Sequence, residues 1–259
     1  MARTLAIVLM SVAICHEAPR EVPAAGPEPT IETLLARLAD SEFLVREQAT
    51  EALMLREDFH QADLHRALGR ATHPERRNRL IRIAKHRFFQ RLASQFPEVP
   101  QDRGALGIRL SPDNQIEPTR FVVYDADHRQ LPNTAMVIVQ TIPGFPAFVH
   151  LRPGDQVLQV NGLKLNECLT DTDFVARLMP LHQNERLKLQ VRRGKRVFEV
   201  TLAMGSYTRL INLTQAVQYG GGQPVEGGDM FSAYPPWQEY LRRLVRIDSH
   251  GPGEPAQDL

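Results

Sequence analysis

The chain has 259 residues, 42% of them hydrophobic and 24% charged, with a formal net charge of +1. That balance excludes a disordered polyelectrolyte and an array of membrane spans, and it leaves room for one or two small domains. Near-neutral charge also argues against a nucleic-acid partner, which needs a basic face to displace counterions.

Residues 1–25 read as an export signal and the start of a linker. Arg3 precedes an apolar run from Leu5 to Ile14, too short to cross a bilayer as a helix but of signal-peptide size. Ser11-Val12-Ala13 offers a small-x-small cleavage pattern, and Ala24-Ala25 offers a later one. Lipidation at Cys15 and an uncleaved anchor are the alternatives, the first disfavoured by Ile14 standing where a small residue belongs. The expectation is an exported protein, periplasmic or extracellular, that meets a membrane only through an uncleaved or lipidated N-terminus. Cys168 would then be its single thiol, read as a small, partly buried residue rather than a nucleophile. The Pro- and Ala-rich stretch "HEAPREVPAAGPEPT" that follows Cys15 suits a linker.

A helical region is predicted over residues 30–95. Ile31, Leu34, Leu35 and Leu38 recur at helical spacing behind a Thr30 N-cap, and Asp40-Ser41 separates them from a second run through Leu44, Val45, Ala49, Ala52 and Leu53. Leu34, Leu38, Arg46 and Leu53 are echoed thirty residues on by Leu64, Leu68, Arg76 and Ile83. The last helix opens after Pro74 and sets Leu80, Ile81, Ala84, Phe88 and Leu92 against many arginines, which are read as a solvated face. "LLARLADSEFLVREQATEAL" resembles HEAT-type helical repeats. The unit is shorter than theirs, however, and two such units are too few for a free-standing solenoid. These helices are expected to pack on something else or form a small bundle.

From Gly104 the period changes to that of strands. Gly107-Ile108-Arg109-Leu110, "FVVY" at 121–124, "MVIV" at 136–139 and "DQVLQVNG" are candidates, the last closing on an Asn161-Gly162 turn. Leu187, Leu189 and Val191 alternate into a turn at Gly194, and Phe198, Val200 and Leu202 alternate back, which is a hairpin. Between these strands, "DTDFVARL" holds Phe174, Val175 and Leu178 at helical spacing. Beyond Met204 the regularity fades, so residues 205–259 read as a flexible tail. Within it, 235–246 is a candidate short helix with Trp237, Tyr240, Leu241 and Leu244 on one side.

"RGALGIRL" at 103–110 places a loop with one central glycine directly before a strand. Inward-pointing amides in such a loop make an anion site, and a free strand edge beside it can pair with an extended peptide. Here the sequence resembles the PDZ family, in particular the bacterial type of HtrA-like proteins, over about residues 103–204. Ala105-Leu106-Gly107-Ile108 is similar to the family's Gly-Leu-Gly-Phe-like carboxylate-binding loop, with Ala for the first Gly and Ile for the final Phe. "VQTIPGFPAFVHLRPGDQVLQVNGLKL" resembles the family's second signature, and "TDTDFVARL" falls where its groove-lining helix belongs. The resemblance implies an α+β fold, with helical hairpins preceding a small sandwich or partly open barrel. It also implies a peptide site. Leu106, Gly107 and Ile108 would donate amides to a chain-terminal carboxylate, while Leu106, Ile108, Val175 and Leu178 wall a pocket for its apolar side chain. Asp171, at the helix start, would select the ligand residue two before the end. Pro153-Gly154-Asp155 is read as structural. The connection from Ser111 to Ala135 is longer than a minimal one and is expected to add a hairpin around "FVVY".

The expected protein is therefore a non-enzymatic adaptor for protein C-termini or extended peptides, with no cofactor and no metal. Relatives of the HtrA type raise the alternative of a component of a proteolytic system. Against catalysis, no Gly-x-Ser-x-Gly, Ser-x-x-Lys or His-Glu-x-x-His occurs, and Ser206 has no base at recognisable spacing. A third reading is self-capping or self-assembly, because the chain ends in an apolar Leu259.

Overall fold

Why the N-terminal helices form is visible at their ends. Helix α1 (Ile31–Arg37) begins where the Thr30 hydroxyl accepts from the Thr33 N–H at 3.2 Å, with Glu32 in its first turn and Arg37 in its last. Then come α2 (Phe43–Leu55), α3 (Gln61–Gly69) and the 21-residue α4 (Pro74–Ser94), whose Pro74 occupies a first-turn position where no N–H is needed. The carbonyls at the end of α2 are met by a side chain instead. Arg87 of α4 donates to Leu53 O at 3.0 Å and also to the carbonyls of Arg56 and Phe59. The arginine face of α4, read from sequence as solvated, is in large part internal wiring of this kind. The computed structural model describes residues 28–109, 123–124, 130–131, 136–164, 178, 180–221 and 229–246.

The β-rich region opens with short strands, β1 (Gly104–Ala105), β2 (Ile108–Arg109), β3 (Val123–Tyr124), β4 (Gln130–Leu131), β5 (Met136–Val137) and β6 (Gln140–Thr141). Helix α5 (Pro146–His150) follows, then β7 (Gln156–Val160), β8 (Leu163–Lys164), β9 (Arg186–Arg193), β10 (Arg196–Ala203) and β11 (Gly205–Ser206). Among the described residues the strands form one sheet in the order β10-β9-β7-β5, with β8 beside β7, and the separate ladders β2-β6, β1-β11 and β3-β4. None closes into a barrel. The β3-β4 ladder is the hairpin expected around "FVVY", and β9-β10 turns at Gly194 as the alternation of Leu187, Leu189 and Val191 predicts.

The region after Met204 corrects the expectation of a flexible tail. Helices α6 (Tyr207–Tyr219), α7 (Met230–Ala233) and α8 (Pro235–Arg246) return to the N-terminal helices. Leu213, Val217, Phe231, Tyr234, Trp237 and Leu244 join the core built by Leu38, Leu53, Leu64, Leu80 and Phe89. Leu210, Leu213 and Val217 carry the helical period behind a Ser206 cap, and the glycines of "YGGGQ" diluted that signal. The HEAT resemblance is not confirmed by this packing. Repeats in a solenoid touch only their neighbours, whereas α4 is a hub that meets α2, α3, α6 and α8.

A second core lies under the sheet, built by Leu106, Ile138, Leu151, Val157, Leu187, Leu189, Val191 and Leu202. Helix α5 belongs to both. Ala147 faces the sheet core, while Phe148 and Val149 face the helical one.

Trp237 is 3% exposed and sits 5.6 Å from Phe88 and 5.8 Å from Tyr240, centroid to centroid. Trp237→Ala is expected to lower unfolding free energy by about 3–5 kcal/mol, as for large aromatic truncations in cores. Urea denaturation followed by circular dichroism checks this; an unchanged midpoint would mean that the C-terminal helices do not dock.

Candidate functional site

Peptide geometry decides what the loop at Leu106–Ile108 presents. In a trans peptide a carbonyl and the following N–H point to opposite sides. The Leu106 carbonyl accepts from the Ala147 N–H at 3.1 Å, and the Gly107 carbonyl accepts from the Ile142 N–H at 2.7 Å. Both carbonyls thus face the segment Ile142–Ala147, and the amides of Gly107 and Ile108 face away from it. Ile108 stands opposite Thr141 in the β2-β6 ladder, flanked by Gly107 and Arg109, which make the ladder bonds, so its own N–H lies on the outer margin of β2. Outside the strand ladders, none of the described residues accepts a backbone hydrogen bond from Leu106 or Gly107. Adjacent amides aimed one way beside the strand margin opposite β6 suit an anionic chain end.

Gly107 is required twice over. Its φ of 72° lies in the left-handed region, and a Cβ placed there would sit 2.3 Å from Phe145 Cβ. Phe145 also abuts Gly205, where a built Cβ would lie 3.0 Å from its ring. Its ring is thus wedged between the loop and the β1-β11 ladder.

The side chains named from sequence divide into three groups. Leu106 is 3% exposed and belongs to the sheet core, which leaves little of its side chain to wall a pocket. Ile108 and Leu178 are half-buried and pack against that same core. Asp171 and Val175, like Cys168, lie outside the described residues.

The segment that aims the loop is itself anchored to the helical bundle, which sequence reasoning missed. Gly144, with φ of 89°, presses against the α4 backbone so closely that a Cβ would be 2.7 Å from Gln90 N and Phe89 C. Its N–H donates to His86 Nδ1 at 3.2 Å, and the His86 ring stacks on Phe148 at 5.6 Å. The only signal of it in the sequence is a glycine beside an aromatic in "PGFPAF".

A buried ion cluster fastens the same junction. Glu47 of α2, 7% exposed, accepts from Arg79 Nη1 at 2.6 Å and from Arg152, which follows α5, with Arg82 at 3.8 Å. Burial pushes the Glu47 carboxyl up, but Arg152 and Arg79 outweigh it and hold it below the ordinary carboxylate value. Arg152 also donates to Leu151 O at 3.0 Å, and its N–H donates to Asp155 at 2.8 Å. Asp155 in turn accepts two bonds from Arg193 of β9, each 2.7 Å, which gives the Pro153-Gly154-Asp155 turn the structural role expected of it.

Ser206 is a helix cap. It is buried, donates to Asp102 and accepts from the Arg209 N–H at 3.0 Å. Burial pushes the Asp102 carboxyl up, and bonds from Ser206 and Thr208 overcome this to hold it low. Among the described residues no group of His, Cys, Asp and Glu side chains is placed to hold a metal ion, and no helix is long and apolar enough to cross a membrane.

Two tests follow from the junction. Burial, with Arg87 and His150 nearby, pushes His86 from 6.5 down to about 4. The unfolded chain therefore takes up a proton that the folded chain refuses, and stability should be full above pH 6.5 and fall, by about 3 kcal/mol in all, as pH drops toward 4. Urea midpoints of wild type and His86→Leu across that window measure it, the variant showing the shallower slope. Glu47→Gln removes the carboxylate that Arg152 pairs with and leaves Arg79 paired with Glu75 alone, and should cost about 3–5 kcal/mol in the same measurement at pH 7.

Residues 104–204 match the family model described as a PDZ domain, and the chain carries a PDZ domain over that span. Comparison with curated proteins gives no match. A solved structure described as an HtrA-type protease with a tripeptide is similar at 19% identity and a TM-score of 0.31, covering 41% of this chain and 32% of that one. This chain thus spans about a third of that protein's length.

Proposed function

We propose that the PDZ domain at 104–204 makes this chain a non-enzymatic binding module for protein C-termini or extended peptides, which it takes up by strand addition along β2. One observation carries the reading. The carbonyls of Leu106 and Gly107 are both tethered to Ile142–Ala147, which turns the amides of Gly107 and Ile108 to the margin of β2 opposite β6. A ligand strand would pair there through its main chain, with its terminal carboxylate on the amides and its last side chain against Ile108 and Leu178. The resemblance would add Val175 to the pocket and Asp171 as selector of the ligand's antepenultimate residue, both outside the described residues. The adaptor role in an exported compartment rests on the leader-like residues 1–25.

A peptide array displaying each sequence with a free and an amidated C-terminus tests the proposal on the full chain. Charge-assisted bonds to a carboxylate are expected to favour the free form by about tenfold or more. Gly107→Ala should abolish that preference by forcing the loop off Phe145. Binding that ignores amidation in the wild type would reject the proposed carboxylate site.

A further inference from the structure

Of the contacts that aim the Leu106–Ile108 loop, the Ala147 N–H on the Leu106 carbonyl comes from a residue of the sheet core, and the others lead back to the helical bundle. Ile142, whose N–H holds the Gly107 carbonyl, packs its side chain against the helical core rather than the sheet core. Phe145, wedged on Gly107, is buried in that helical core as well. Gly144 between them rests on the backbone of α4 and donates to His86. Strand β6, the ladder partner of β2, is held from the same side. Its Gln140 donates to Asp229 at 3.0 Å, and Asp229 both pairs with Lys85 of α4 and caps α7 through the Phe231 N–H at 3.0 Å.

We infer that the helical bundle is the positioning element of the carboxylate loop, acting through His86, Gly144 and Phe145 on the peptide planes of Leu106–Gly107 and Gly107–Ile108. The inference deepens the proposed peptide site and rests on it for its effect on binding. The physical ground is that both planes are oriented by hydrogen bonds from one short segment, which Ile142, Gly144 and Phe145 seat on the helices and only Ala147 seats on the sheet core. Lifting it from α4 rotates the two amides away from convergence while leaving the sheet core intact. His86 and Phe145 touch no ligand in this arrangement. They are positioning residues, and their loss should show in the recognition of the charged chain end and not in apolar contacts along the groove.

The test uses the full-length chain and three variants. His86→Leu removes the acceptor for the Gly144 N–H, Gly144→Ala pushes the turn off the α4 backbone, and Leu38→Val loosens the same helical core on α1 as a control for stability alone. Two readouts are taken. The first is the amide resonances of Gly107 and Ile108 in nitrogen-15 spectra, which require no ligand. The second is the ratio of affinities for the free and amidated forms of the tightest peptide from the array. His86→Leu and Gly144→Ala should shift both resonances and reduce the ratio about tenfold or more, toward one, as expected for lost charge-assisted bonds. Leu38→Val should do neither. Unmoved resonances in folded His86→Leu, or an equal effect of Leu38→Val, would overturn the inference. If the wild type itself does not discriminate the two forms, the peptide reading fails on its own, and the resonances alone still decide whether the bundle aims the loop.

Discussion

A carboxylate withdrawn from water as far as that of Glu47 persists as an anion only where cations meet it. Here they come from different parts of the fold, Arg79 and Arg82 from α4 and Arg152 from the segment that follows α5. The charge requirement of one side chain therefore dictates where the β-rich region must sit relative to the helices. Arg152 cannot serve Glu47 without also fixing the end of α5, whose carbonyls it accompanies, and the Asp155 turn, whose carboxylate receives its N–H. Through Asp155 and Arg193 the same requirement reaches the middle of the sheet. Hydrophobic burial drives the two cores together without choosing a direction; this chain of directional bonds chooses one.

Helix α5 is where that choice is felt. In five residues it divides its side chains between two cores, and the amides that orient the carbonyls of Leu106 and Gly107 come from its own Ala147 and from Ile142 of the turn before it, where Ile142 and Phe145 are rooted among the helices. A packed interior has little room for adjustment. The helices and the sheet should accordingly open as one cooperative unit and not as two, and loop geometry is inherited from contacts on the far side of the turn.

Much of the β-rich region was legible because its signals are local. A glycine before an alternating strand, Leu187, Leu189 and Val191 in phase, and Asn161-Gly162 at a turn each report on their immediate neighbourhood, and the ladders follow them. Ile108 and Leu178 pack against one core. The parts that were not legible depend on partners distant in sequence. Nothing near Glu47 announces Arg152, and nothing near Gly144 announces the backbone of α4. The arginines of α4 carry the pattern of a solvated face, yet Arg79 and Arg87 spend their donors on α2, because a guanidinium can serve buried acceptors while its stem lies along apolar surface. After Met204, three apolar residues at helical spacing were outweighed by the glycines that follow them. Burial, which no local period reveals, made that segment part of the core.

The family match begins at residue 104 and ends at residue 204, but the boundary of the fold does not follow it. Phe145, Phe148 and Val149 lie inside those limits and bury themselves against residues outside. A fragment excised at the homology borders would keep its sheet and hydrate three large side chains at one stroke. The sensible unit for expression, exchange or grafting is therefore the whole span from the linker to the last helix. In this molecule the familiar module is an organ of a larger body, not a cassette.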